Sequence, residues 1–124
     1  MQAEAAEVTA ARGIARVAWE ANRALQAEDG DVYIDEPWDA APEWRQQLCT
    51  ATVGAVRAGL VQTAGQAHEF WMTQMVMEGW RWGAEKDPER KRHPSLVPWA
   101  DLSPRMQLGQ RLLFLITQEM TEVG

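Results

Sequence analysis

The sequence predicts a mainly helical fold, two helix-loop-helix units packed about a pseudo-twofold axis, with a small two-stranded β element in the second unit. Three observations lead there. Apolar residues recur at helical spacing in four separate segments. The two halves of the chain echo each other: "AWEANRAL" (Ala18 to Leu25) resembles "AHEFWMTQ" (Ala67 to Gln74), and "PWDAAPEW" (Pro37 to Trp44) resembles "PWADLSPRM" (Pro98 to Met106) with one residue inserted. Between the third and fourth helical segments lie about two dozen residues, long enough in a compact domain to carry structure or function of their own.

The first helix is expected over about Glu4 to Glu28, with Ile14, Ala18, Ala21 and Leu25 on one stripe. A second begins after Pro42 and presents Cys49, Val53, Val56 and Leu60 on one face. The third, "AGQAHEFWMTQMVMEGW", aligns His68, Trp71, Met72 and Met75 and stops at Gly79, a natural terminator. The fourth opens at Ser103-Pro104, a serine N-cap followed by proline at the first helical position, and buries Met106, Leu113, Ile116 and Met120. In the long connection, "WRWG" and "SLVPW" have the aromatic and β-branched content of short strands. "DPERK" between them suggests one helical turn capped by Asp87.

A length of 124 residues fits one domain with a core that needs no disulfide or metal. A formal net charge of −6 argues against general binding to DNA, RNA or an anionic membrane, all of which need a positive footprint. The single cysteine, Cys49, rules out an internal disulfide and suits a reducing, cytoplasmic setting. The longest apolar run, "LLFLI", is too short to span a bilayer, and the opening "MQAEAAEV" is not a secretory signal.

Tryptophan is the unusual residue, seven against two phenylalanines and one tyrosine. Three of the seven, with five of the twelve Lys and Arg residues, fall between Gly79 and Trp99. If "WRWG" is extended, Trp80 and Trp82 point to the same side and could clamp a planar base. Lys86, Arg90 and Lys91 follow within one short turn and could meet phosphates, with His93 donating to a phosphate or ribose oxygen. Trp38 and Trp99, at equivalent places in the two halves, would approach the same cleft, as would Asn22 and Arg23 from the first helix.

The same residues have plainer uses. A tryptophan in so small a domain is more often core than ligand platform, and Trp19, Trp44 and Trp71 on helix stripes are assigned to the core. "ERKR" is more often a solvated loop face than a phosphate site, and interleaved acids leave a local net of only +2 from Arg81 to Arg92. His68 is expected to be a structural histidine hydrogen-bonded across the seam.

Catalytic signatures are sparse. His68 and His93 with one cysteine give no metal-ligand spacing, "HEFWM" breaks the HExxH pattern, and there is neither a GxSxG elbow nor a glycine-rich phosphate loop. Cys49 on an apolar stripe reads as a core thiol. Glu69 and Glu78 could serve as bases but have no evident partner. A non-enzyme without metal or cofactor is the expectation.

The order of uncommon residues from Ala67 to Pro104 resembles the RyR domain, the repeat first named in ryanodine receptors. The resemblance rests on His68, Glu69 and Trp71; Gly79, Trp80, Trp82 and Gly83; Lys86 and Asp87; and Lys91, His93, Pro94, Leu96, Val97, Pro98 and Trp99. Trp82 stands where the family usually has tyrosine and Trp99 where it has Phe or Tyr. The first half is similar to the arrangement in short stand-alone bacterial and bacteriophage members. One RyR-like domain over 1–124 is therefore expected, with 66–120 matching the repeat most closely and 8–62 a divergent first half.

The resemblance implies paired helices with a small β element and a binding function. Receptor repeats of this type hold an adenine nucleotide between aromatic side chains. Stand-alone relatives imply a phage–host role in which a nucleotide-derived signal, of ATP/ADP, ADP-ribose or cyclic nucleotide type, is sensed or sequestered, and the pocket could be built across a homodimer seam. The rival expectation is a protein-interaction or virion-associated domain with no small ligand, its tryptophans serving core and interface.

Overall fold

The computed structural model describes residues 2–30 and 34–123, with the side chains of residues 122 and 123 left out. Four helices carry the fold: α1 (Gln2–Glu28), α2 (Glu43–Arg57), α3 (Ala64–Met77) and α4 (Pro104–Val123). A two-stranded sheet, β1 (Arg81–Trp82) and β2 (Arg92–His93), sits between α3 and α4.

The buried stripe of α1 is Ala11, Ile14, Ala15 and Ala18, and its small residues let α2 and α4 pack closely against it. Ile14 and Ala15 join Val53 of α2 and Trp38 in one core cluster. Val56, Ala67 and Phe114 anchor a second, and Met75, Trp80 and Leu96 a third. α3 is capped by Thr63, whose side chain accepts from the Gln66 N–H. Ser103 does the same for α4, accepting from Met106 at 3.2 Å.

The internal repeat is visible in the backbone. Each half contains a proline followed by a short 3-10 turn, Trp38–Ala40 in the first and Trp99–Asp101 in the second. Pro37 and Pro98 adopt nearly the same angles (φ −55°, ψ 150° and φ −54°, ψ 152°), and each turn closes on the carbonyl of its tryptophan. A ring nitrogen from the preceding helix tethers each turn. Trp19 Nε1 donates to the Glu36 carbonyl at 2.8 Å, and His68 Nε2 lies 2.8 Å from the Val97 carbonyl. Trp19 and His68 are the second residues of the two echoing segments, so the sequence repeat and the tether coincide.

Four expected details differ. Leu60 is exposed, because α2 ends in a glycine turn at Gly59 (φ 78°) that carries the chain away from the helix face. On α4 the last buried positions are Phe114 and Thr117, while Met120 faces solvent. "SLVPW" forms no strand; β1 pairs instead with Arg92–His93, in parallel, Arg81 opposite Arg92 and Trp82 opposite His93. "DPERK" is a turn, not a helix. Asp87 Oδ1 accepts from the Arg90 N–H at 3.2 Å, and Lys91 sits at φ 56°. Gly83 permits the close pairing, since a Cβ there would lie 2.6 Å from the Arg92 Cβ.

The repeat places Trp38 and Trp99 equivalently but buries them unequally. Trp38 is 3% exposed inside the α1–α2 core, while Trp99 lies half-buried over Gly65. Trp38→Ala should therefore cost about 3–5 kcal/mol in urea unfolding, the usual range for a buried aromatic, and Trp99→Ala clearly less. Equal losses would contradict the burial difference.

Candidate functional site

The four helices do not close completely. Between them lies a cavity of about 580 Å³, within the range of small-molecule sites. One wall is a run of aromatic rings in mutual contact. Trp44 at the start of α2 packs on Trp80 with centroids 5.6 Å apart. Trp80 meets His93 at 6.2 Å, His93 meets Trp71 at 5.2 Å, and Trp71 stacks on His68 at 5.6 Å. All five rings line the cavity. Facing surfaces of α1 and α4 contribute Trp19, Asn22 and Gln26, and Met106, Gly109 and Gln110.

A charged cluster borders the same cavity. Asp35 is 9% exposed and is held by three parts of the chain: Gln26 donates to Oδ2, Arg45 pairs with Oδ1 at 3.1 Å and Lys86 at 3.2 Å. Burial pushes the Asp35 carboxyl up, but Arg45 and Lys86 more than offset this and hold it below the ordinary carboxylate value. The Arg45 guanidinium also lies 4.6 Å over the Trp19 ring. Arg105, another lining residue, pairs with Asp29 at 2.7 Å.

Both histidines are neutral donors or acceptors here. The Ser95 N–H donates to His93 Nδ1 at 3.0 Å, so the His93 proton sits on Nε2. Burial pushes the His93 pKa down to about 4, helped by the neighbouring Lys86 and Arg45 cations. Burial likewise lowers His68, against the opposing pull of its Val97 hydrogen bond. Cys49 also lines the cavity, but burial pushes its thiol up to about 12, so it is a poor nucleophile. Among the described residues no three His, Cys, Asp or Glu side chains form a metal-binding set.

Of the eight residues singled out from sequence, Trp80, Lys86 and His93 line the cavity. The other five lie elsewhere. Trp80 is still in the helix-ending turn, its N–H bonded to the Met75 carbonyl, and the chain becomes extended only at Arg81. Trp80 and Trp82 therefore do not form a clamp: Trp80 is 3% exposed, whereas Trp82 is 57% exposed on a separate shallow groove with Val76 and Met77. Arg90 points to solvent beside Asp87. Lys91 donates to the Glu78 carbonyl at 2.7 Å and so closes the C-terminal end of α3. Trp38 is core, edge-on to Trp19 at 5.7 Å. Trp99 packs on α3 and under Arg111. Of the two first-helix candidates Asn22 reaches the cavity, while Arg23 turns to Glu20 and the Asp35 carbonyl.

Trp19, Trp44 and Trp71, assigned to core from their stripes, are cavity walls, and Asp35, Arg45 and Gln110 went unrecognised. The repeat carried the missing signal, since Trp19 and His68 occupy equivalent positions and both face the space between the halves.

Residues 55–113 match the family model of the RyR domain. These residues carry an RyR domain. The match starts inside α2 and includes His68, Trp71, Trp80, Lys86 and His93; Trp19, Asp35, Trp44 and Arg45 precede it. The cavity is thus completed by residues of the chain's first half, outside the matched segment.

The depressed His93 pKa has a direct consequence. In the unfolded chain His93 takes up a proton near its ordinary value of 6.5, whereas in the folded protein it does so only near 4. Stability should fall as pH drops between those values, by about 2 kcal/mol from neutrality to pH 5. Urea denaturation at both pH values measures this, and His93→Gln should flatten the dependence. An unchanged slope in the variant would show that His93 is not the group responsible.

Proposed function

We propose that this RyR domain is a reversible binding module for a planar, nucleotide-derived small molecule, held in the central cavity without chemical change. The observation that carries the reading is the aromatic wall of Trp44, Trp80, His93, Trp71 and His68 along a cavity of about 580 Å³. Such a wall offers stacking and edge contacts to a heterocyclic base, and the resemblance to nucleotide-holding repeats favours adenine. A ribose-phosphate portion would extend toward Arg45, Lys86 and Arg105.

Each of those cations already shares a carboxylate, and Arg90 and Lys91 lie outside the cavity. This balance favours a ligand of modest charge, such as a nucleoside, a monophosphate or an ADP-ribose form, over a triphosphate. A module with these properties would sense or sequester a signal, and in a phage–host setting sequestration is the use we favour.

The exposed Met77 and Trp82 around the shallow groove favour a second reading, a protein-interaction surface. The two readings predict different variants to matter. The purified protein is titrated with adenosine, AMP, ATP, ADP-ribose and cyclic dinucleotides, following tryptophan fluorescence and melting temperature. The cavity reading predicts saturable quenching with a concentration-dependent melting shift. Trp44→Ala should then weaken binding about tenfold or more, as loss of a stacking ring does, while Trp82→Ala leaves it unchanged. No response to any compound would sink the cavity reading and turn attention to the Trp82 surface.

A further inference from the structure

We infer that the cavity reads an exocyclic amino group on its ligand, with His68 Nδ1 as the acceptor and His93 Nε2–H as the matching donor. The inference rests on the small-molecule reading above and adds the chemistry by which the ligand would be selected.

The argument begins with the tether. A backbone carbonyl can only accept, so His68 Nε2, 2.8 Å from the Val97 carbonyl, must carry the ring proton. In the neutral ring Nδ1 is then a bare acceptor. His68 is 1% exposed, and Nδ1 is closed to water with no hydrogen-bond partner among the described residues. A buried acceptor left without a donor is costly, and water cannot make up the loss here. Neutrality is enforced by burial, which disfavours the charged ring.

The polarity of the neighbouring group is fixed just as firmly. His93 Nδ1 accepts from Ser95, which leaves Nε2–H as its donor. His68 and His93 both contact the ring of Trp71. One aromatic platform thus carries a fixed acceptor and a fixed donor. An aminopurine offers the complement, an amine beside a ring nitrogen that accepts. The side-chain oxygens of Asn22 and Gln110 also lack partners, but an amide can turn either end inward, so these two adapt to the ligand and do not select it. His68 lines the cavity but its Nδ1 is covered, so an amine would reach it only as the covering side chains move aside, which ties this hydrogen bond to ligand binding.

Adenosine and purine riboside provide the test, since they differ only in the amino group. Calorimetric titration of the native protein should show adenosine binding about tenfold tighter or more. In His68→Gln, whose amide nitrogen can still donate to Val97, the two should bind alike and the melting temperature should hold. Equal binding of both nucleosides to the native protein would overturn the inference while leaving the cavity reading in place. An adenosine preference that survives in the variant would also overturn it, by assigning the amine to another residue. If neither nucleoside nor any nucleotide binds, the cavity reading fails and this inference with it. Should His68→Gln not fold, ¹⁵N spectra of the native protein decide: saturating adenosine must shift the His68 Nδ1 resonance, and an unmoved signal counts against the bond.

Discussion

A ring N–H donating to the carbonyl just before a Pro-Trp turn occurs twice in this protein, from Trp19 to Glu36 and from His68 to Val97. Each tether fixes where a helix hands over to its following turn, and so where the next helix begins. Because the two tethering rings come from the first helix of each half, both turn their faces toward the space between the halves. The cavity is what remains when two such units pack together. The bond also determines chemistry, since it consumes one nitrogen of His68 and leaves the other as an acceptor. A tryptophan at the equivalent place in the first half has no second nitrogen. The repeat is therefore symmetric in architecture and asymmetric in what it can bind.

Asp35 supplies the second constraint. It draws Gln26 of α1, Arg45 of α2 and Lys86 of the long connection onto one carboxylate. Removing water from a carboxylate is costly, and several partners with good geometry are needed to offset it. Their convergence pulls the Lys86 loop of the second half onto the first. Without that contact the stretch from Gly83 to Pro98 would be held to the helical body by Lys91 at the end of α3, by the packing of His93 and Leu96, and by the His68 bond to Val97. The same pairing limits how strongly Arg45 and Lys86 can attract an anion, so the proposed binding rests on the aromatic wall more than on charge.

Much of this was legible in the sequence. Helical spacing gave four helices, Ser103 caps the fourth, and the echo between "PWDA" and "PWAD" became two superposable 3-10 turns. The order of residues from His68 to Trp99 identified the family. The site was harder to read, for a physical reason. Alternation along "WRWG" holds only if the chain is extended at Trp80, and the glycine turn at Gly79 delays extension by one residue. Lys91 looked like a phosphate ligand because composition reveals charge but not direction; its side chain is occupied by the Glu78 carbonyl. Trp44 and Trp71 lie on apolar stripes whether the space they face is filled or open, and periodicity cannot distinguish the two. Asp35 gave no local signal, since its partners come from 9 to 51 residues away.

The most direct test of the account is ¹⁹F NMR of the protein labelled with 5-fluorotryptophan, which gives one signal for each of the seven tryptophans. Single Trp→Phe variants assign the signals, and adenosine or ADP-ribose is then added. The account predicts that Trp19, Trp44, Trp71 and Trp80, which line the cavity, shift on saturation while Trp82 stays fixed. A ligand that moves Trp82 and leaves those four unchanged would contradict it and place binding on the outer surface.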